Sequence, residues 1–144
     1  MKILLDVNLL FVLHQPRHMS FQSVFGWFAH SQESSFATCA ITQAGLFRLL
    51  LQGVNGMDSF SVNDARKTIQ RFSSRPNHIY WSEMPACLDA IDPFFPRIQG
   101  HRQITDAYLL GLAIHHGGKL ATLDKAILHL AGPEFAPHVE LIAS

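Results

Sequence analysis

Charge is scarce in this 144-residue sequence: Asp, Glu, Lys and Arg together make up 15% of it, and 11 acids balance 11 bases to a formal net charge of +0. A neutral chain projects no global field toward a polyanion, so a nucleic-acid partner would have to be held by a local patch or a metal ion. Cysteine is nearly absent. Cys39 and Cys87 show no CxxC spacing and read as buried free thiols in a reducing cytosol, not as a disulfide framework. Apolar runs break well short of the ~18 residues that a membrane span requires, and Asp6 interrupts any signal-peptide core. A soluble, cytoplasmic protein is expected. Repeats, linkers and low-complexity segments are absent too, so residues 1–144 read as one domain. What the chain has in quantity is hydrophobic residues, at 48%. A chain of this size buries roughly two-thirds of its unfolded surface and needs no covalent staple. The low charge fits a tight monomer and a face covered by a second copy equally well.

Hydrophobic periodicity divides the chain into alternating strands and helices. Lys2 to Leu5 is a short apolar run typical of a buried strand. Asn8 to His14 follows as a short helix, and Ser20 caps another in which Phe21, Val24, Phe25 and Phe28 recur at helical spacing. Ser35 to Cys39 is a second strand, and Thr42 caps a helix that Gln52-Gly53 ends. Ser61 with Asp64 resembles a capping box ahead of a helix bearing Arg66, Lys67 and Arg71. His78 to Trp81 is a third strand, Pro85 to Ile91 a helix, and Asp92 to Gly100 an irregular loop. Thr105 caps the clearest helix, Asp106 to His116, which Gly117-Gly118 stops. Lys119 to Leu123 and Val139 to Ile142 are the remaining strands. The alternation implies an α/β fold: a central parallel sheet of about five strands with helices on both faces.

Ligands of open parallel sheets bind at the carboxyl ends of the strands. Asp6 ends the first strand, Asp124 lies just beyond the fourth, and Asp106 opens the helix leading into the fourth. Each acid also has an ordinary structural use. Asp106 suits a helix N-terminus, Asp124 can cap a helix beginning at Lys125, and Asp6 can serve a turn. Three carboxylates at one sheet edge repel each other unless a cation neutralises them. An all-oxygen set with open positions suits Mg²⁺ or Mn²⁺. Such a site acidifies bound water and stabilises the charge of a phosphodiester transition state.

Other residues carry weaker signals. His115 and His116 are adjacent among nine histidines. On one helix they should point to different faces, unlike an i, i+4 zinc pair. Phe21, Phe25, Trp27 and Phe28 read as core or dimer contacts first and base-stacking residues second. Arg66, Lys67, Arg71 and Arg75 form a basic stretch that reads first as a solvated helix face, and second as a contact for phosphate or an acidic partner segment. His101 and Arg102 lie just before the Asp106 helix, near the expected active edge, and with Arg48, on the helix that carries Gln43, are candidate phosphate contacts.

Together the segments ILLDVNLL, ATCAITQAGLFRLL, GHRQITDAYLLGLAIHHGGKLATLD and VELI resemble those of PIN-domain nucleases, and within them the VapC toxins of toxin–antitoxin pairs. The likeness spans nearly the whole chain in the family's order. It implies a PIN fold, divalent-metal-dependent hydrolysis of RNA leaving a 5′-phosphate, a small VapB-type antitoxin that blocks the site, and a homodimer. Transfer and ribosomal RNAs are the substrate classes it suggests. Carried onto this chain, it implies metal ligation by Asp6 and Asp106, completion of the cluster by Asp124, and support from Asn8 and Thr122. One position departs from the pattern. Where family members often carry a helix glutamate, this chain has Gly45, and the nearest polar side chain, Gln43, offers a neutral oxygen. The other reading of that departure is a catalytically weakened PIN domain serving as an RNA- or partner-binding module. Haloacid-dehalogenase-like phosphatases fit poorly, since Asn8 stands where their second Asp belongs. A response-regulator receiver fits no better, because Asp106 opens a helix instead of ending a middle strand.

Overall fold

In the computed structural model, which describes residues 1–53 and 59–143, strand β1 (Lys2–Leu5) is the organising element. It is flanked on one side by β2 (Ser35–Thr38) and then β3 (His78–Tyr80), and on the other by β4 (Lys119–Thr122) and then β5 (Val139–Leu141). All four pairings are parallel, giving the order β3-β2-β1-β4-β5. The chain builds outward from β1 through β2 to β3, then returns to β1's other side for β4. That reversal places the topological switch point between β1 and β4, where sheets of this class open a crevice.

Period-two alternation along β1 sends successive side chains to opposite faces. Ile3 and Leu5, with Phe36 and Ala121, pack under α1 (Val7–Leu13), α2 (Phe21–His30), α3 (Ala40–Gln52) and α4 (Val62–Ser73). Leu4, with Ala37 and Leu120, packs under α5 (Cys87–Ile91), α6 (Ile104–His115) and α7 (Lys125–Phe135). Because both faces are covered, the two central strands bury apolar side chains on both sides, Ile3, Leu4 and Leu5 in β1 and Leu120 and Ala121 in β4. Phe36 is 1% exposed and meets Trp27 and Phe28 ring to ring. The aromatic helix is therefore mainly core. Phe25 remains exposed and stacks on Phe21.

Several local expectations are corrected. The helix expected from Asn8 begins at Val7 with Asp6 as its cap. The third helix begins at Ala40 with Cys39 as N-cap, and Thr42 sits inside it, its hydroxyl accepting the Cys39 N–H at 2.9 Å. The sixth begins at Ile104 after a 3-10 turn, so Thr105 is an exposed helical residue and caps nothing. Ser20 holds the N-cap position without a side-chain bond. Ser61 does cap its helix, accepting from Asp64 N–H at 3.1 Å. Part of the loop from Asp92 is a 3-10 helix, Asp92–Arg97. Cys39 is buried as expected, but Cys87 is exposed. Among the described residues no helix is long and apolar enough to cross a membrane.

The helix that carries Asp106 is held in place by a close backbone approach. Gly111, in the middle of α6, lies against the Ala90 carbonyl of α5, and a Cβ there would overlap that oxygen. Backbone cannot yield as a side-chain tip can, so Gly111→Ala should cost about 1–3 kcal/mol despite alanine's better helix propensity. Urea denaturation should show a lower midpoint at unchanged slope.

Candidate metal-binding active site

Three carboxylates meet at the crevice between β1 and β4. Asp6 follows β1 directly, and its backbone N–H is bonded to the Ala121 carbonyl of β4 at 3.0 Å. That bond continues the β1–β4 ladder one residue past the strand. Asp6 is only 7% exposed, yet both of its oxygens are served. Oδ1 accepts from Val7 N–H at 2.8 Å, capping α1, and Oδ2 accepts from the Thr122 hydroxyl at 2.7 Å. Thr122, fully buried at the end of β4, accepts in turn from Asp124 N–H at 3.0 Å. Asp124 is exposed and caps α7 through Ala126 N–H at 2.9 Å. The ordinary and the chemical uses of Asp6 and Asp124 thus coexist, because a carboxylate has more lone pairs than one cap consumes.

Asp106 is in a different situation. It sits half-buried in the first turn of α6, and its carboxylate receives no hydrogen bond among the described residues. Burial, followed by the charges of Asp6 and Asp124, pushes its pKa up to about 6. Burial also raises Asp6, with the charge of Asp124 adding to it, against the lowering effect of the Thr122 and Val7 hydrogen bonds. The three acids thus lie close enough to act on one another's charge. Such a set is short of positive charge, which is the condition a hard divalent cation relieves.

The remaining candidates are distributed around this centre. Asn8 is exposed on α1 and lines, with His18, Leu49, Leu123 and Asp124, a cleft of about 420 Å³. Arg48 on α3 and His101 and Arg102 in the 3-10 turn before α6 are exposed. Gln43 is directed elsewhere. Its amide N–H donates to the Thr38 hydroxyl at 2.9 Å and more weakly to Ser73 at 3.4 Å, joining the end of β2 to α4. Thr38 also bonds His78 Nε2 at 2.7 Å. Gly45 packs against the start of α1: a Cβ there would come within 2.8 Å of the Val7 side chain. Sequence reasoning did not single out Val7, since a valine beside an acid carries no chemical signal of its own.

No protein-family model matches the chain. Curated relatives do. It is 36% identical over 132 residues to ribonuclease VapC29 of Mycobacterium tuberculosis (strain H37Rv), covering 92% of each chain. It is 35% identical over 133 residues to ribonuclease VapC44 of the same strain, covering 92% of this chain and 93% of that one. The chain belongs to the VapC ribonuclease family. Among solved structures, the VapC fold seen here superposes on a chain of FitAcB from Neisseria gonorrhoeae with a TM-score of 0.59 at 18% identity, covering 97% and 96% of the two chains. A chain of VapBC2 from Rickettsia felis, bound to a promoter DNA fragment, matches with a TM-score of 0.56 at 17% identity over 100% and 98%. At those identities the likeness concerns the VapC fold alone.

Two outcomes follow from this geometry. In the metal-free protein the folded Asp106 carboxyl titrates near 6 and the unfolded one near 3.8. The folded state therefore holds this proton more tightly. The group opposes folding above about pH 6, and that opposition fades as pH falls toward 3.8. Asp106→Asn should melt above wild type at pH 7.5 in EDTA, with the gap closing below about pH 6, as read by circular dichroism. Separately, Gly45→Ala should cost about 1–3 kcal/mol by crowding Val7, and the loss should shrink in a Val7→Ala background. Additive losses in that double-mutant cycle would show that the two residues do not share the space.

Proposed function

We propose that this VapC-family endoribonuclease, a single PIN domain over residues 1–144, cleaves RNA at a divalent-metal site held by Asp6, Asp106 and Asp124. The observation that carries the reading is the unserved Asp106 carboxylate, raised to about 6 by burial and by its two acidic neighbours at the switch point. The all-carboxylate donor set favours Mg²⁺ or Mn²⁺ over softer metals. When bound there, the cation neutralises developing phosphodiester charge and supplies water of lowered pKa.

The protein's own groups do the positioning. Thr122 holds Asp6 Oδ2 and the Asp124 backbone, so one buried hydroxyl sets two of the three acids relative to each other. Asp124 is exposed, and its carboxylate accepts a single hydrogen bond among the described residues, from Ala126 N–H, which leaves it lone pairs to orient an attacking water. In this reading Asn8 and the cleft beside Asp124 give an extended RNA strand a way in, and the exposed Arg48, His101 and Arg102 are the proposed contacts for backbone phosphate. Gln43 braces β2 against α4 in this reading and is not a ligand.

Regulation follows the relatives' pattern. The solved neighbours include FitAB bound to a DNA fragment and VapBC2 bound to a fragment of its promoter, and a VapB-type antitoxin is the partner proposed here. A groove of about 470 Å³ at the far end of α1, lined by His14, Phe21, Phe72, Arg71 and Arg75, offers an apolar floor and a basic rim for an antitoxin segment. Homodimerisation, a cytoplasmic setting, and a transfer or ribosomal RNA substrate complete the proposal.

The test is cleavage of defined RNAs by antitoxin-free protein with Mg²⁺ or Mn²⁺. Asp6→Asn and Asp106→Asn should each lower the rate by about a hundredfold or more. Thr122→Val should raise the metal concentration needed for half-maximal rate by about tenfold, while activity at saturating metal recovers in part. RNA binding without metal-dependent cleavage would establish the binding-module reading instead.

A further inference from the structure

A second cluster of metal-ligating groups lies at the opposite end of α6 from Asp106. One ligand atom from each of Glu83, His115 and His116 lies within 4.8 Å of the other two. The two histidines do not diverge as neighbours within a helix would. His115 is the last helical residue and His116 the C-cap, with φ −88 and ψ 4, so the backbone has left the helix where His116 projects. Its ring stacks on the buried Trp81 indole at 4.1 Å between centroids and 11° between planes. Its Nε2 lies 2.9 Å from the Glu83 backbone carbonyl. Donation to that carbonyl leaves Nδ1 carrying the lone pair. The arrangement, an imidazole fixed by stacking with one nitrogen donating to a carbonyl, is how metal-binding histidines are held. His115 Nε2 approaches Glu83 Oε2 at 3.9 Å, the limit of an ion pair, and both side chains are exposed enough to adjust.

From this geometry we propose that Glu83, His115 and His116 bind a borderline divalent cation of the zinc class, separate from the catalytic carboxylates. Two imidazole nitrogens and one carboxylate oxygen, with open positions for water, suit Zn²⁺ and are poor for Mg²⁺. Donors around tetrahedral zinc sit ~3.3 Å apart, so closing the site moves the exposed Glu83 and His115 by about an ångström while His116 stays fixed. The bound cation staples the segment that follows β3 to the carboxyl end of α6, and so fixes the far end of the helix that presents Asp106.

The full chain is titrated calorimetrically with Zn²⁺ in excess Mg²⁺, which competes at the carboxylate site but not for imidazole. The expected result is one equivalent of zinc per chain at this site. Affinity should fall about tenfold or more in His115→Ala and in Glu83→Gln. Zinc should also raise the melting temperature of wild type by several degrees and of neither variant. Both substitutions are at exposed positions, and unchanged circular dichroism confirms that each variant is folded. Absence of zinc binding, or binding that survives either substitution unchanged, overturns the proposal.

Discussion

Two of the three acids at the proposed site depend on one hydroxyl. Thr122 is fully buried, donates to Asp6 Oδ2 and accepts from the Asp124 amide, and so ties the ends of the two central strands together by side chain as well as by ladder. Burying a carboxylate beside other acids is costly unless its lone pairs are met. Thr122 and the first turn of α1 meet those of Asp6. Among the described residues no such provision exists for Asp106, which enters from α6 and is raised first by burial and then by the charges of Asp6 and Asp124. The site is thus divided between two acids fixed by the fold and one left available to a ligand. That division is what a functional centre requires: the scaffold settles where the charges stand, and a bound cation completes the balance.

The packing away from the edge serves this division. The close approach of Gly111 to the Ala90 carbonyl sets the depth of α6, and with it how far Asp106 reaches toward Asp6. Gly118 makes a similar approach to the Lys2 carbonyl just before β4, where a Cβ would have no room. These contacts are backbone to backbone, so they set distances that side-chain rearrangement cannot absorb. The chain uses small residues where position matters more than burial.

The sheet and the three acids were legible in the sequence because both rest on local signals. A short apolar run ending in Asp is the same pattern whether it is read at residues 2–6 or 119–124, and parallel pairing follows from the helices between. Helix starts were less legible for a definite reason. Thr42, Thr105 and Asn8 are the residue types that cap helices, yet the helices begin at Ala40, Ile104 and Val7. There the chain leaves a strand at Asp6 and Cys39 or a 3-10 turn at Gln103, and helical geometry begins directly after, with Asp6 itself capping the first of these helices. Contacts between distant segments left no trace at all. Nothing in the spacing of Trp81, Glu83 and His116 announces that an indole and an imidazole stack across 35 positions.

The position of the absent helix glutamate shows how such distant contacts alter chemistry. At Gly45 the question is not only which charge is missing but what occupies its space, and the answer is the branched side chain of Val7, immediately after Asp6. A carboxylate at 45 would have to displace Val7 and would add a fourth negative charge to a site where Asp106 is already raised to about 6. Gln43 does not restore the lost oxygen, because its amide is bonded to Thr38 and Ser73. In the proposed site, one divalent cation would offset two of the three carboxylate charges. A fourth acid would call for a second cation. The pairing of glycine with valine thus keeps the acids of the proposed site at three, through packing as much as through charge.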